Sequence, residues 1–266
     1  MTATTASRDA VSRPSAARVV LARARSRHPE WWLVGIALVA WVAVVVPYVW
    51  PDQPIAGAVH HGGHHMAATA PTSATETSLH AATAWFVMVL AMMLLVAVPR
   101  VRYVAAVCPG RIRTRAIAQT VGGVVLVWTA LGLVISVVPI VVPTATAGGA
   151  TLGFVVIWLS AAAWQLTPWK WSALLRCHGV RVPRREGDGV ARVRMGAVHG
   201  VWCVASCGPA MVAMALTGHP LVLMVGLTIG LAAERVATRP VRAIRLVAAT
   251  MTALALAIAG AIALGA

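Results

Sequence analysis

The sequence predicts an all-helical polytopic membrane bundle of about seven transmembrane helices, N-terminus cytoplasmic and C-terminus outside. Three observations carry that expectation. Of 266 residues, 59% are hydrophobic and only 11% charged, with a mean hydropathy of +0.81, too little polar surface for a water-soluble domain of this length. The apolar residues fall in runs long enough to cross a bilayer. The basic residues sit between those runs in four clusters, the arrangement that orients a membrane protein. That arrangement also decides what the formal charge of +15 means. A lipid bilayer is the expected partner, and nucleic acid is not.

Residues 1–30 carry six arginines among Ala and Ser. The apolar run that follows is too long for the core of a signal peptide, so they read as a retained cytoplasmic arm. The first span runs from about Trp32 to Trp50 between interfacial tryptophans and Pro51. Residues 51–80 form an external loop containing HHGGHHM. The remainder, 81–266, holds six further spans at about 81–98, 118–138, 151–166, 195–216, 221–233 and 246–264. Basic stretches lie at 100–115, 170–194 and 235–245. With seven spans, all 22 Lys and Arg fall on one side and the external loops hold none. Adding or removing one span scrambles this partition. The expected location is a bacterial inner or plasma membrane.

Reactive groups at membrane depth concentrate in MGAVHGVWCVASCGPAMVAM, residues 195–214. Cys203 and Cys207 are neighbours on one helical face. His199 lies one turn before them and Met211 one turn after. Each four-residue step drifts by about 40°, so one flanking group at either end completes the pair. Gly196 and Gly200 allow another helix to approach closely. The span at 81–98 adds Met88, Met92 and Met93, with Met88 and Met92 on one face. Thiolates with thioethers favour Cu(I) over hard cations and thiolates also suit zinc, while the lack of carboxylates argues against Mg, Ca or Mn. The plain alternative is packing, since cysteine and methionine are common core residues.

His60, His61, His64, His65 and Met66 form a second candidate, a flexible segment for collecting copper or zinc at the outer face. Its alternative is a solvated linker that binds metal only incidentally. His80 and His219 also lie outside and, taken singly, read as solvated. Glu234 is followed at once by Arg235, so an interfacial ion pair between them is expected. Cys177 with His178 lies in the basic stretch and reads as a free cytosolic thiol, or as a pair that hands metal on. The four cysteines make no secreted disulfide framework. No phosphate-cradling loop, activated nucleophile or HExxH helix is present, and no enzymatic activity is expected.

Four motifs in order, WFVMVLAMM at 85–93 with Pro99, QLTPWK at 165–170, GVWCVASCGPAM at 200–211 and Glu234-Arg235, resemble one bacterial family. It is the domain-of-unknown-function family of predicted metal-binding integral membrane proteins, some of them labelled copper chaperones. The resemblance covers roughly residues 80–236. It matches Met92 and Met93 to the family's AMM motif, and Gln165, Thr167, Pro168 and Lys170 to its QLTPxK motif. Gly200, Cys203, Cys207 and Met211 match its cysteine motif. Three positions depart: Ser206 replaces the first of two adjacent cysteines, Leu95 a proline and Ala173 a cysteine. The resemblance implies a membrane protein that handles a soft metal.

The combined expectation is a copper-binding membrane protein. The histidine loop collects metal, and Cys203 and Cys207, with Met92 or Met93 and Met211 or His199, hold Cu(I) for delivery to a membrane or extracytoplasmic cuproprotein. A transporter using the same ligands and a membrane thiol oxidoreductase cycling Cys203 and Cys207 are the rival readings.

Overall fold

A chain surrounded by hydrocarbon must satisfy its backbone polar groups internally, and helices do so within one segment. The computed structural model describes residues 29–49, 74–141, 147–178, 182–183, 187–216, 221–236 and 240–263. Among them the chain forms eight helices and no strand. They are α1 (Trp31–Val49), α2 (Ala74–Val107), α3 (Arg113–Val141), α4 (Ala147–Gln165), α5 (Pro168–His178), α6 (Gly189–Leu216), α7 (Leu221–Val236) and α8 (Pro240–Ala263). Five stretches are long and apolar enough to cross a membrane: Trp31–Val49, Leu79–Val107, Arg113–Ser136, Gly189–Leu216 and Pro240–Ala257. In α4 the apolar stretch Gly153–Gln165 is shorter, and α7 has 16 residues. The chain is thus an all-α, multi-pass helical bundle.

The helices run past the expected spans at their basic ends. α2 continues through Pro99 to Val107, and α6 begins at Gly189 rather than Met195. Apolar length marks what lies in the bilayer, whereas a helix ends where its caps place it. The largest departure is α5, a helix inside a stretch expected to be a basic loop. Thr167 caps it: its Oγ1 accepts the Lys170 backbone N–H at 3.2 Å, and Pro168 occupies the first helical position, where a missing N–H does no harm. Lys170, Ala173, Leu174 and Cys177 are all buried, an i, i+3, i+4, i+7 face.

α3 and α6 make the tightest packing, side by side and parallel. A Cβ on Gly196 would stand 2.1 Å from the Thr120 carbonyl oxygen, and one on Gly123 would stand 2.2 Å from that of Val193. Only glycine lets the two backbones meet so closely. Arg192 Nε donates to Gln119 Oε1 at 2.7 Å and ties the starts of the same two helices. Farther along α6, Pro209 has no N–H for the Ala205 carbonyl. Trp164 of α4 fills that vacancy, its Nε1 donating to the Ala205 oxygen at 3.1 Å. α5 lies against α6, where Arg176 stacks 4.5 Å from the Trp202 ring centre.

Candidate metal centre

Two helices supply the heart of the site. α6 presents Cys203 and Cys207, both buried and both free thiols. The last turn of α7 carries Arg235, whose Nη2 donates to Cys203 Sγ at 3.0 Å and lies 3.9 Å from Cys207 Sγ. One guanidinium nitrogen therefore reaches both sulfurs, which lie on one face of α6. Ser206 Oγ lies 3.2 Å from Cys207 Sγ and donates to the Cys203 carbonyl at 3.1 Å. Position 206 thus carries a hydroxyl against the thiols.

The expected Glu234–Arg235 pair does not form. Adjacent residues on a helix point about 100° apart, so Glu234 faces α5 while Arg235 faces α6. Glu234 Oε2 instead takes the Lys170 ammonium at 2.7 Å, and Lys170 also donates to Gln165 Oε1. Lys170 is 0% exposed and Glu234 2%. Burial of both charges is tolerable because they are paired and hydrogen-bonded. Three polar atoms here have no hydrogen-bond partner: Arg235 Nε, Glu234 Oε1 and Gln165 Nε2.

Cys177 is buried in the same contiguous core cluster as Cys203 and Cys207, whereas the sequence reads it as a free cytosolic thiol or, with His178, as a pair that hands metal on. Burial pushes its thiol above the ordinary range, against the opposing pull of Arg235. His199 Nδ1 lies 3.1 Å from the Cys177 carbonyl. A carbonyl oxygen only accepts, so Nδ1 carries the hydrogen. His199 therefore fastens α5 to α6 through this bond. The clue to Lys170 and Cys177 was present in the α5 spacing, but a lysine on the buried face disguises it as a solvated stretch.

Met92, Met93 and Met211 belong to that same cluster, with Met92 and Met211 0% exposed. Met88, Met214, Met224 and Met251 join them from α2, α6, α7 and α8. His60, His61, His64, His65 and Met66 lie outside the described residues, as does His219. His80, near the start of α2, is exposed. Among the described residues, no three His, Cys, Asp or Glu side chains form a ready ligand group. Any soft-metal set here is built from the cysteine pair and the surrounding thioethers.

Fold and cluster define a class: a helical membrane protein whose core gathers cysteine and methionine sulfur, with Arg235 of α7 against the cysteine pair. Residues 82–258 match the family described as PpoB2, copper chaperone. The chain belongs to that family, and copper handling is its class of function. No curated protein and no solved structure matches the chain.

Proposed function

We propose that Cys203 and Cys207 hold Cu(I) as a dithiolate within the bundle, with Met92, Met93 or Met211 as thioether ligands, for delivery to a membrane or extracytoplasmic cuproprotein. The contact of one Arg235 nitrogen with both sulfurs carries this reading. Cu(I) bound by two thiolates has a net charge of −1, and burying an uncompensated charge is expensive. Arg235 supplies the balancing charge, because Lys170 and Glu234 neutralise each other. Soft sulfur donors select Cu(I). Gly196 and Gly123 set α6 against α3, and α5 packs on α6 with Arg176 over the Trp202 ring.

In this reading the bundle spans a bacterial inner or plasma membrane seven times, with the basic clusters in the cytoplasm. His60, His61, His64, His65 and Met66 collect copper, or zinc, at the outer face. The cargo is bound and passed on without chemical change, so no catalytic residue is assigned.

Elemental analysis of untagged protein purified in detergent tests the site. Cys207→Ser should remove most bound copper while helicity and elution volume stay unchanged, and deletion of residues 60–66 should leave about one copper behind. Undiminished copper in a folded Cys207→Ser protein overturns the intramembrane site.

A further inference from the structure

The thioethers of the sulfur-rich core extend past the cysteine pair, away from the basic stretches. Met211 of α6, Met224 of α7 and Met251 of α8 are 0%, 1% and 3% exposed and belong to the same contiguous cluster as Cys203 and Cys207. The register of the three helices brings them to one level. Arg235, in the last turn of α7, meets the cysteines in the middle of α6, so these two consecutive helices run antiparallel. From position 235 back to 224 is roughly 16 Å along α7. The same rise along α6 leads from the cysteines to its last two turns, where Met211 lies. α7 and α8 meet at Gly230, where a Cβ would stand 2.7 Å from Val247 Cγ2. Met224 lies roughly 9 Å from position 230, and Met251 roughly 6 Å from position 247, along their helices and toward the same end of the bundle. An apolar cavity of about 460 Å³ between α7 and α8 adjoins this level, with Met251, Leu227, Val247 and Trp158 in its wall. It gives the Met251 side chain room to swing. Methionine has three rotatable bonds and a polarizable sulfur, so thioethers from three helices can turn onto one ion.

We propose that Met211, Met224 and Met251 form a second soft-cation site, a thioether station that takes Cu(I) or Ag(I) beyond the cysteine pair. Neutral sulfur ligands suit a soft monovalent cation and not the oxygen-seeking Mg or Ca. They also leave the charge of the ion uncompensated in an apolar core, which is costly, so the station holds its cargo weakly. The cysteine pair holds it tightly, because two thiolates and Arg235 balance the charge. Cargo therefore runs downhill from thioether to thiol, with Met211, one turn past Cys207, in reach of both. This role as a waiting place rests on the reading that Cys203 and Cys207 hold Cu(I), whereas binding at the thioethers does not. On transfer the Cu–thioether bonds break and two Cu–thiolate bonds form. The two thiol protons pass to water, and copper stays Cu(I).

The test uses the full chain in detergent with isotope-labelled methionine methyl groups, followed by NMR as Ag(I) is added. Single leucine variants assign the resonances. Cys203→Ser together with Cys207→Ser removes the tighter site. In that double variant the Met211, Met224 and Met251 resonances should shift together along one binding curve, while Met195, in the other core, stays in place. Adding Met224→Leu, which conserves volume, should weaken the affinity read at Met211 and Met251 by about tenfold or more, since losing even an indirect support of a metal ligand costs about that much. Met251→Leu, read at Met211 and Met224, should do the same. Three resonances that stay in place or titrate separately overturn the station, as does unaltered affinity in either leucine variant once folded. Failure of the cysteine reading looks different: copper bound by the wild-type chain would not fall in Cys207→Ser, whereas the thioether shifts with Ag(I) would remain.

Discussion

Among the described residues the bundle has two cores, and they differ in chemistry more than in burial. One, centred on α2, α6 and α7, has 24 buried residues, of which ten are Met or Cys. The other, between α1, α2 and α3, has 13, of which only Cys108 and Met195 carry sulfur. α2 serves both, turning Met88, Met92 and Met93 to the first and Leu94, Val101 and Val104 to the second. Methionine used only as flexible filler would be spread over both cores. Instead it gathers in the core that holds the cysteine pair, the distribution that the proposed soft-metal site requires.

The largest expected effect comes from the ion pair that borders the sulfur-rich core. Lys170→Met leaves Glu234 charged and unpaired, and should destabilise the protein by about 3–5 kcal/mol. Adding Glu234→Gln should recover most of that loss. Denaturation of the detergent-solubilised single and double variants measures both steps. Equal losses in single and double variants would mean that Lys170 matters for packing alone. Next comes the seam between the cores. Gly196→Ala drives a methyl group into the Thr120 carbonyl, and backbone cannot yield as a flexible side chain does. Overpacking of this kind costs about 1–3 kcal/mol. Both cores should loosen together, seen as faster hydrogen exchange in α2 and in α6. Exchange confined to α6 would show that the two cores are independent.

How much of this was legible follows from the same division. Apolar runs and basic clusters revealed the membrane helices because hydrocarbon length is a local property. The spacing of Cys203 and Cys207 is local too, and the structure puts both against one nitrogen. What failed to show was set by contacts distant in sequence. Glu234 finds Lys170 across 64 positions, and no rule of neighbouring residues points there. Cys177 reaches the cluster only because Thr167 and Pro168 start a helix whose buried face includes a lysine. The cap pair and the spacing of Lys170, Ala173, Leu174 and Cys177 were readable, but a buried cation reverses the usual meaning of charge. Arg235 was assigned to Glu234 by adjacency, although a helix turns adjacent residues apart.

The smallest structural effect gives the sharpest comparison between the cores. Met92→Leu and Met195→Leu each replace one buried thioether by a branched hydrocarbon of similar volume, and each should cost under about 1.5 kcal/mol. Met92 lies in the sulfur-rich core and Met195 in the aliphatic one. Stability alone therefore does not separate them. Copper does: competition with a Cu(I) chelator should show weakened binding in Met92→Leu and unchanged binding in Met195→Leu. If Met92→Leu binds as wild type, the same measurement on Met93→Leu and Met211→Leu decides whether another thioether takes its place. Unaltered binding in all three assigns the cargo to the two thiolates alone, because Arg235 balances their charge whether or not a neutral thioether is present. The methionines would then be packing, and their presence in the cluster that holds the cysteines would reflect how readily an unbranched, polarizable side chain fills irregular space.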